Sequence, residues 1–166
     1  FRAGPYKELA EVARVHGALV AEVTSGMMGM RRGPSFMAGL LHHVGSLVLL
    51  QVASQTLPEL DTVKRVIAAH STNFSVLVAD AWHLEAEIIP AIAYHNDPNA
   101  IHAGPRDLGR IVCIANIAVH GELDRRAQKN SFFIEAIAQF TRSRVLASKA
   151  LNQAAAAIDR MEADGN

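Results

Sequence analysis

Neither sign of charge is in excess in this chain: sixteen Lys and Arg balance sixteen Asp and Glu over 166 residues. No global field draws it toward nucleic acid or an anionic membrane surface, and no clustered basic face does so locally. Cysteine is nearly absent. The single one, Cys113, lies in the apolar run IVCIANIAV, which excludes an internal disulfide and suits a reducing compartment. In that run it reads as a small buried hydrophobe. No strand-like alternation and no internal repeat is present, which leaves an all-α fold. No stretch has about 20 uninterrupted apolar residues, because His42, His43 and Gln51 break the best candidate, and no signal-peptide pattern opens the chain. These absences predict a soluble, cytoplasmic protein without a membrane span. The first residue is Phe rather than Met, as in a trimmed or partial chain.

Half of the residues are hydrophobic, enough for one core, so a single domain over residues 1–166 is expected. The strongest helix signal is 34–55, PSFMAGLLHHVGSLVLLQVASQ, whose apolar residues fall on every side of a 3.6-residue repeat. Such a helix is central and covered by neighbours all round. Pro34 suits its first turn, and Gly39, His42 and Ser46 draw one polar line along it, which is expected to face a polar partner. Ahead of it, apolar residues at three- and four-residue steps from Leu9 to Val23 predict an amphipathic helix over 5–24, ended by Ser25-Gly26. Beyond it the pattern predicts short helices over 60–69 and, capped by Ser71 or Thr72, through Trp82, with Phe74, Leu77, Val78, Ala81 and Trp82 inward. A further short helix over 86–94 contains Pro90, and 95–105 is a loop rich in turn formers. Helices then follow over 105–120, after Ser131, and over 143–163, with 121–129 a polar surface connection. The whole is a compact bundle of about seven or eight helices.

FMAGLLHHVGSLVLL (36–50) resembles the middle of the HD superfamily of metal phosphohydrolases, and in particular the HDOD (HD-related output domain) family. The superfamily carries a His-Asp pair in this helix; here the pair reads His42-His43. VADAWHLEAEIIPAIAYHNDP (78–98) is similar to the HDOD pattern of a tryptophan, a helix and a His-His pair, which here reads His95-Asn96. The resemblance runs in order and spacing through His120, and it implies an HD-domain-like bundle. It also implies a degenerate site. Glu8 stands where the first histidine would, His42 keeps its place, His43 replaces the aspartate, Ser71 falls where a further histidine belongs, and Asn116 in RIVCIANIAVHG replaces the closing aspartate.

Hydrolases of this kind hold one or two divalent metals with imidazoles and carboxylates, which activate a water. Without both aspartates, no anionic oxygen remains at those positions to bridge two hard metals. The resemblance therefore implies a non-catalytic bacterial signal-transduction module, not an enzyme, with no cofactor, acting through protein or small-ligand contacts. HDOD modules have a further helical subdomain ahead of the first helix, so the chain reads as the C-terminal part of the module. The missing subdomain would leave an apolar face, and the segment is expected to self-associate or to be less stable than a longer chain.

Other readings of the same residues stand beside this one. His42, His43 and His95 could hold a zinc ion with water as fourth ligand. The alternative function is a degenerate metal-dependent phosphohydrolase or a nucleotide-binding pocket. His16 lies on the apolar stripe of the first helix and reads as a hydrogen-bonded core histidine, and Asn116 as a polar pin between helices. Trp82 and Tyr94 read as core aromatics whose polar atoms reach the edge. Expected partners are signalling proteins or the missing subdomain, a second copy, or a nucleotide, and not nucleic acid.

Overall fold

The computed structural model describes residues 5–28, 32–56, 59–97, 108–126 and 144–164, and every regular element among them is a helix. The periodic segments become α1 (Pro5–Met28), α2 (Arg32–Leu41), α3 (Val44–Thr56), α4 (Leu60–Ala81), α5 (Ile88–Ala93), α6 (Leu108–Arg126) and α7 (Arg144–Asp164). The helix expected after Ser131 lies outside the described residues, as does most of the 95–105 loop. The hub is α1, which touches α2, α3, α6 and α7. Its face of Leu19, Val20 and Val23 meets Ala38 and Leu41 of α2, Val112, Ala115 and Val119 of α6, and Ile158 of α7 in the larger core. Ala147, Ala150, Ala154 and Ala157 form a small-residue stripe that brings α7 close to its neighbours. A second, smaller core joins Ala10 to Leu50, Ala53 and Val63.

Several boundaries differ from the sequence pattern. Helix α1 runs through Ser25-Gly26, since a glycine is tolerated in a packed helix and this one lies against Gln153 of α7. The two helices expected over 60–82 are one, α4, because nothing at His70-Ser71-Thr72 obliges a break once Ser71 is buried. Pro90 falls at the third residue of α5, within the first turn, where its missing N–H has no intrahelical partner to lose. Residues 121–126 belong to α6 rather than to a surface connection. Glu122 is buried there, and its partner Arg126 also pairs with Asp159 and Glu162, clamping α6 to α7.

The expected central helix is neither continuous nor covered all round. Phe36 and Val52 are exposed, and the chain turns at His42-His43. Gly33–Thr56 is long and apolar enough to cross a membrane by length and composition alone, against the expectation that its polar residues disqualify it, and half of its most apolar stretch is buried inside the structure. Two glycines allow the packing. A Cβ on Gly39 would lie 2.6 Å from Ala21 Cα, and one on Gly45 would lie 2.0 Å from Ser71 O, so α2 rests on the backbone of α1 and α3 on that of α4.

At the end of α4 the Leu84 N–H donates to Ala79 O (3.1 Å) and the His83 N–H to Asp80 O (2.9 Å), the paired bonds of a Schellman cap. His83 takes the left-handed position with φ 51°, where glycine is the unstrained residue. His83→Gly is expected to stabilise the fold by about 0.5–1 kcal/mol, a rise of about 2–3 °C in thermal melting. A lower melting temperature would instead mean that the imidazole itself holds the turn.

Candidate functional site

Adjacent residues on an unbroken helix point about 100° apart, so His42 and His43 would diverge in a single helix over 34–55. The turn between α2 and α3 brings their ring centroids to 4.2 Å. Ser75 of α4 makes that turn possible. Its hydroxyl accepts from the Gly45 N–H (2.8 Å) and donates to His42 O (2.9 Å), satisfying both backbone groups that the interruption opens. The Ser46 N–H closes the turn on His43 O.

Around this turn five imidazoles converge. His95, following α5, lies 4.9 Å from His42 and 5.5 Å from His43 between ring centroids. His16 of α1 lies 5.1 Å from His43 and 4.0 Å from His120 of α6. Asn116 ties the group together: its Oδ1 accepts from His16 Nε2 (2.7 Å) and its Nδ2 donates to Asn96 Oδ1 (3.2 Å). Asn116 is thus a polar pin between helices, and His16 is a hydrogen-bonded core histidine, as the sequence suggested.

The protonation pattern follows from the backbone. A carbonyl only accepts, so His42 Nδ1 donates to Gly39 O (2.5 Å) and His95 Nδ1 to Ile92 O (2.6 Å). In the neutral rings both Nε2 atoms are then lone-pair acceptors. His42 Nε2 faces Asn116 Oδ1 at 3.3 Å, another acceptor. His95 Nε2 is buried with no hydrogen-bond partner among the described residues. Burial keeps the rings neutral: it pushes His16 down to about 4, with the nearby His120 adding to it and the Asn116 bond opposing, and His43 down to about 3. His42 is held well below the usual imidazole range by burial and by its histidine neighbours, and His95 and His120 are lowered, chiefly by burial. Asp124 acts on His120 in the opposite direction.

Of the positions expected from the sequence, His42, His43, His95, Asn96 and Asn116 come together. Two do not. Glu8 is exposed on α1 two turns before His16, and Ser71, though buried, presents its carbonyl to Gly45 and makes no hydrogen bond to the imidazoles. His120 joins the cluster without being expected from the sequence, although it stands four residues after Asn116 on the same face of α6, and Ser75 carries no sequence signal at all. The expected core aromatics are also corrected: Trp82 is 58% exposed and Tyr94 53%, and Leu77, expected inward, is 60% exposed. Cys113 is buried, which pushes its thiol up to about 11 and leaves it unreactive.

The ligand-forming atoms of His42, His43 and His95 lie within 4.8 Å of one another, as do those of His16, His43 and His120. Neither group contains a carboxylate, so neither fits the bridged pair of hard metals that phosphoryl chemistry uses. All-imidazole sets suit a single borderline ion. A shallow groove on α7 lined by Val145, Ser148, Lys149, Asn152 and Gln153 contains none of these histidines. Among known families, the model for the HDOD domain matches residues 6–98. That match is shorter than the resemblance through His120 and gives no support for assigning the chain to the C-terminal part of the family's module. No curated protein and no solved structure matches the chain.

Proposed function

The chain belongs to the HDOD family, and we propose that it acts as a non-catalytic regulatory module of bacterial signal transduction, working in the cytoplasm through contacts with signalling proteins. The observation that carries this reading is the imidazole cluster without a carboxylate. Three neutral rings supply no bridging oxygen and little charge to hold two divalent ions, and hence no means of activating a water while stabilising a phosphoryl transition state. The exposed side chains Leu77, Trp82 and Tyr94 at the ends of α4 and α5 are the apolar groups that a partner protein would engage.

The test is turnover. Metal-stripped protein is supplied with manganese, iron(II) or zinc and assayed against a phosphodiester and a phosphomonoester. No hydrolysis above the metal-only blank is expected with any of the three. Turnover that requires metal and disappears in His42→Ala would overturn the reading in favour of a metal-dependent phosphohydrolase.

A further inference from the structure

We infer that His42, His43 and His95 form a binding site for one borderline divalent metal ion, of the zinc or cobalt(II) type, coordinated by imidazole nitrogen alone. The inference rests on how the rings are held. Two of the three have Nδ1–H fixed on a backbone carbonyl, Gly39 O for His42 and Ile92 O for His95. That is the outer contact by which metal-binding histidines are oriented and made more basic. It leaves each Nε2 with a lone pair directed away from the backbone that anchors the ring.

Those lone pairs lack donors. His95 is 1% exposed, and its Nε2 has no partner among the described residues. A buried acceptor left unpaired costs about 1–3 kcal/mol. His42 is fully buried and its Nε2 meets only the Asn116 oxygen at 3.3 Å, acceptor against acceptor. A cation bound between them satisfies both at once; a water can also give one O–H to each, and stoichiometric zinc with a shifted His95 Nε2 separates the two. The third ring, His43, makes no hydrogen bond among the described residues and is half-buried, so it is free to adjust and marks the side from which an ion enters. Ligand nitrogens around a tetrahedral zinc stand about 3.3 Å apart, given Zn–N bonds of about 2.0–2.1 Å. One ring nitrogen from each of the three already lies within 4.8 Å of the others, so ring rotation centred on the unpinned His43 closes the site. Three protein ligands leave the fourth position to water.

The ligand chemistry selects the ion. Neutral imidazoles favour zinc, cobalt, nickel and copper, and they lack the anionic oxygens that magnesium, calcium and manganese demand. The second histidine group shares His43 but is arranged differently. His16 already spends Nε2 on Asn116, and His120 is exposed with no backbone anchor, so the pinned and unpartnered nitrogens favour the His42–His43–His95 set.

The experiment uses the metal-stripped chain titrated with Zn²⁺ or Co²⁺. Three results are expected: one equivalent bound by elemental analysis after desalting, cobalt(II) absorption of the intense tetrahedral type, and a rise in melting temperature that Mg²⁺ and Ca²⁺ do not reproduce. His95→Ala and the milder His95→Gln should each weaken zinc binding at least about tenfold, as loss of a ligand does, while His120→Ala leaves it unchanged. In ¹⁵N spectra of histidine-labelled protein, zinc should shift the Nε2 resonance of His95 and not its Nδ1, a readout that needs no variant to fold. Absence of stoichiometric zinc, an unmoved His95 Nε2, or loss of binding in His120→Ala with retention in His95→Gln would overturn the assignment. Because no step reads turnover, zinc bound without hydrolysis supports the site and leaves the regulatory reading intact, whereas hydrolysis would overturn only the latter.

Discussion

Gly45→Ala is expected to abolish the fold or to lower its melting temperature by more than about 10 °C. An alanine Cβ there would stand 2.0 Å from Ser71 O, 2.5 Å from Ser75 N and 2.9 Å from the Phe74 carbonyl carbon, all of them backbone atoms of α4. No side chain can swing aside, so the two helices must separate. Separation also breaks the bonds from Ser75 Oγ to Gly45 N and His42 O that close the turn. Overpacking together with two buried polar groups left unpaired places the cost at about 4 kcal/mol or more, and in a domain of this size each kcal/mol moves the midpoint by about 2–4 °C. Gly33→Ala is the matched control, because nothing lies within 4 Å of a Cβ at that position. Circular dichroism melts of both variants beside the parent decide the point. Equal melting temperatures for the two would show that α3 does not rest on the α4 backbone.

A steep loss of stability between pH 7 and pH 5 is the second large effect expected. His16, His42, His43 and His95 converge from α1, from the α2–α3 turn and from the residues after α5, and burial depresses all four below the ordinary imidazole value of 6.5. In the unfolded chain they take up protons as the pH falls through 6.5, whereas in the fold His16 stays neutral to about 4 and His43 to about 3. Between those limits the unfolded state binds more protons, so stability rises with pH and falls on acidification. Full stability is present above 6.5. His16 and His43, neutral to about 4 and about 3, each cost about 1.4 kcal/mol per pH unit below it, together about 3 kcal/mol, and His42 and His95, lowered as well, act in the same direction. That is a large part of the roughly 5–15 kcal/mol that holds a domain folded.

Melting temperatures at pH 7.5, 6.5 and 5.5 in one buffer system are expected to fall by more than about 10 °C across the range, with far-UV signal lost near pH 5. This window lies above the pH at which carboxylates protonate, so it isolates the histidines. His120 adds less, because Asp124 beside it opposes the depression that burial causes. A melting temperature flat from 7.5 to 5.5 would show that the rings carry protons in the fold and that the cluster is not the dry, neutral group described here.

What the sequence determined was the kind of element and the kind of chemistry. Apolar residues three and four apart dictate helices whatever their neighbours, so the all-α architecture and the amphipathic character of α1 were legible before any packing was known. The meeting of His42, His43, His95 and Asn116 was implied by the family resemblance of the segments that carry them, and so was the absence of a carboxylate partner at His43 and Asn116. Tertiary contacts decided the rest. A period shows which face of a helix is apolar but not which neighbours cover it, and so Trp82, Tyr94 and Leu77 read as inward by pattern and are exposed in the fold. Nothing local breaks the helix at His42-His43. The turn exists because a hydroxyl 33 residues away, on Ser75, receives the opened backbone groups while Gly45 lets α4 approach. His16 and His120 join the cluster for the same reason: α1 and α6 pack against each other and α2, which no pattern within either helix encodes. Periodicity is a property of one segment, whereas a site built from side chains of several helices depends on distances between segments, and those are set only when the core is packed.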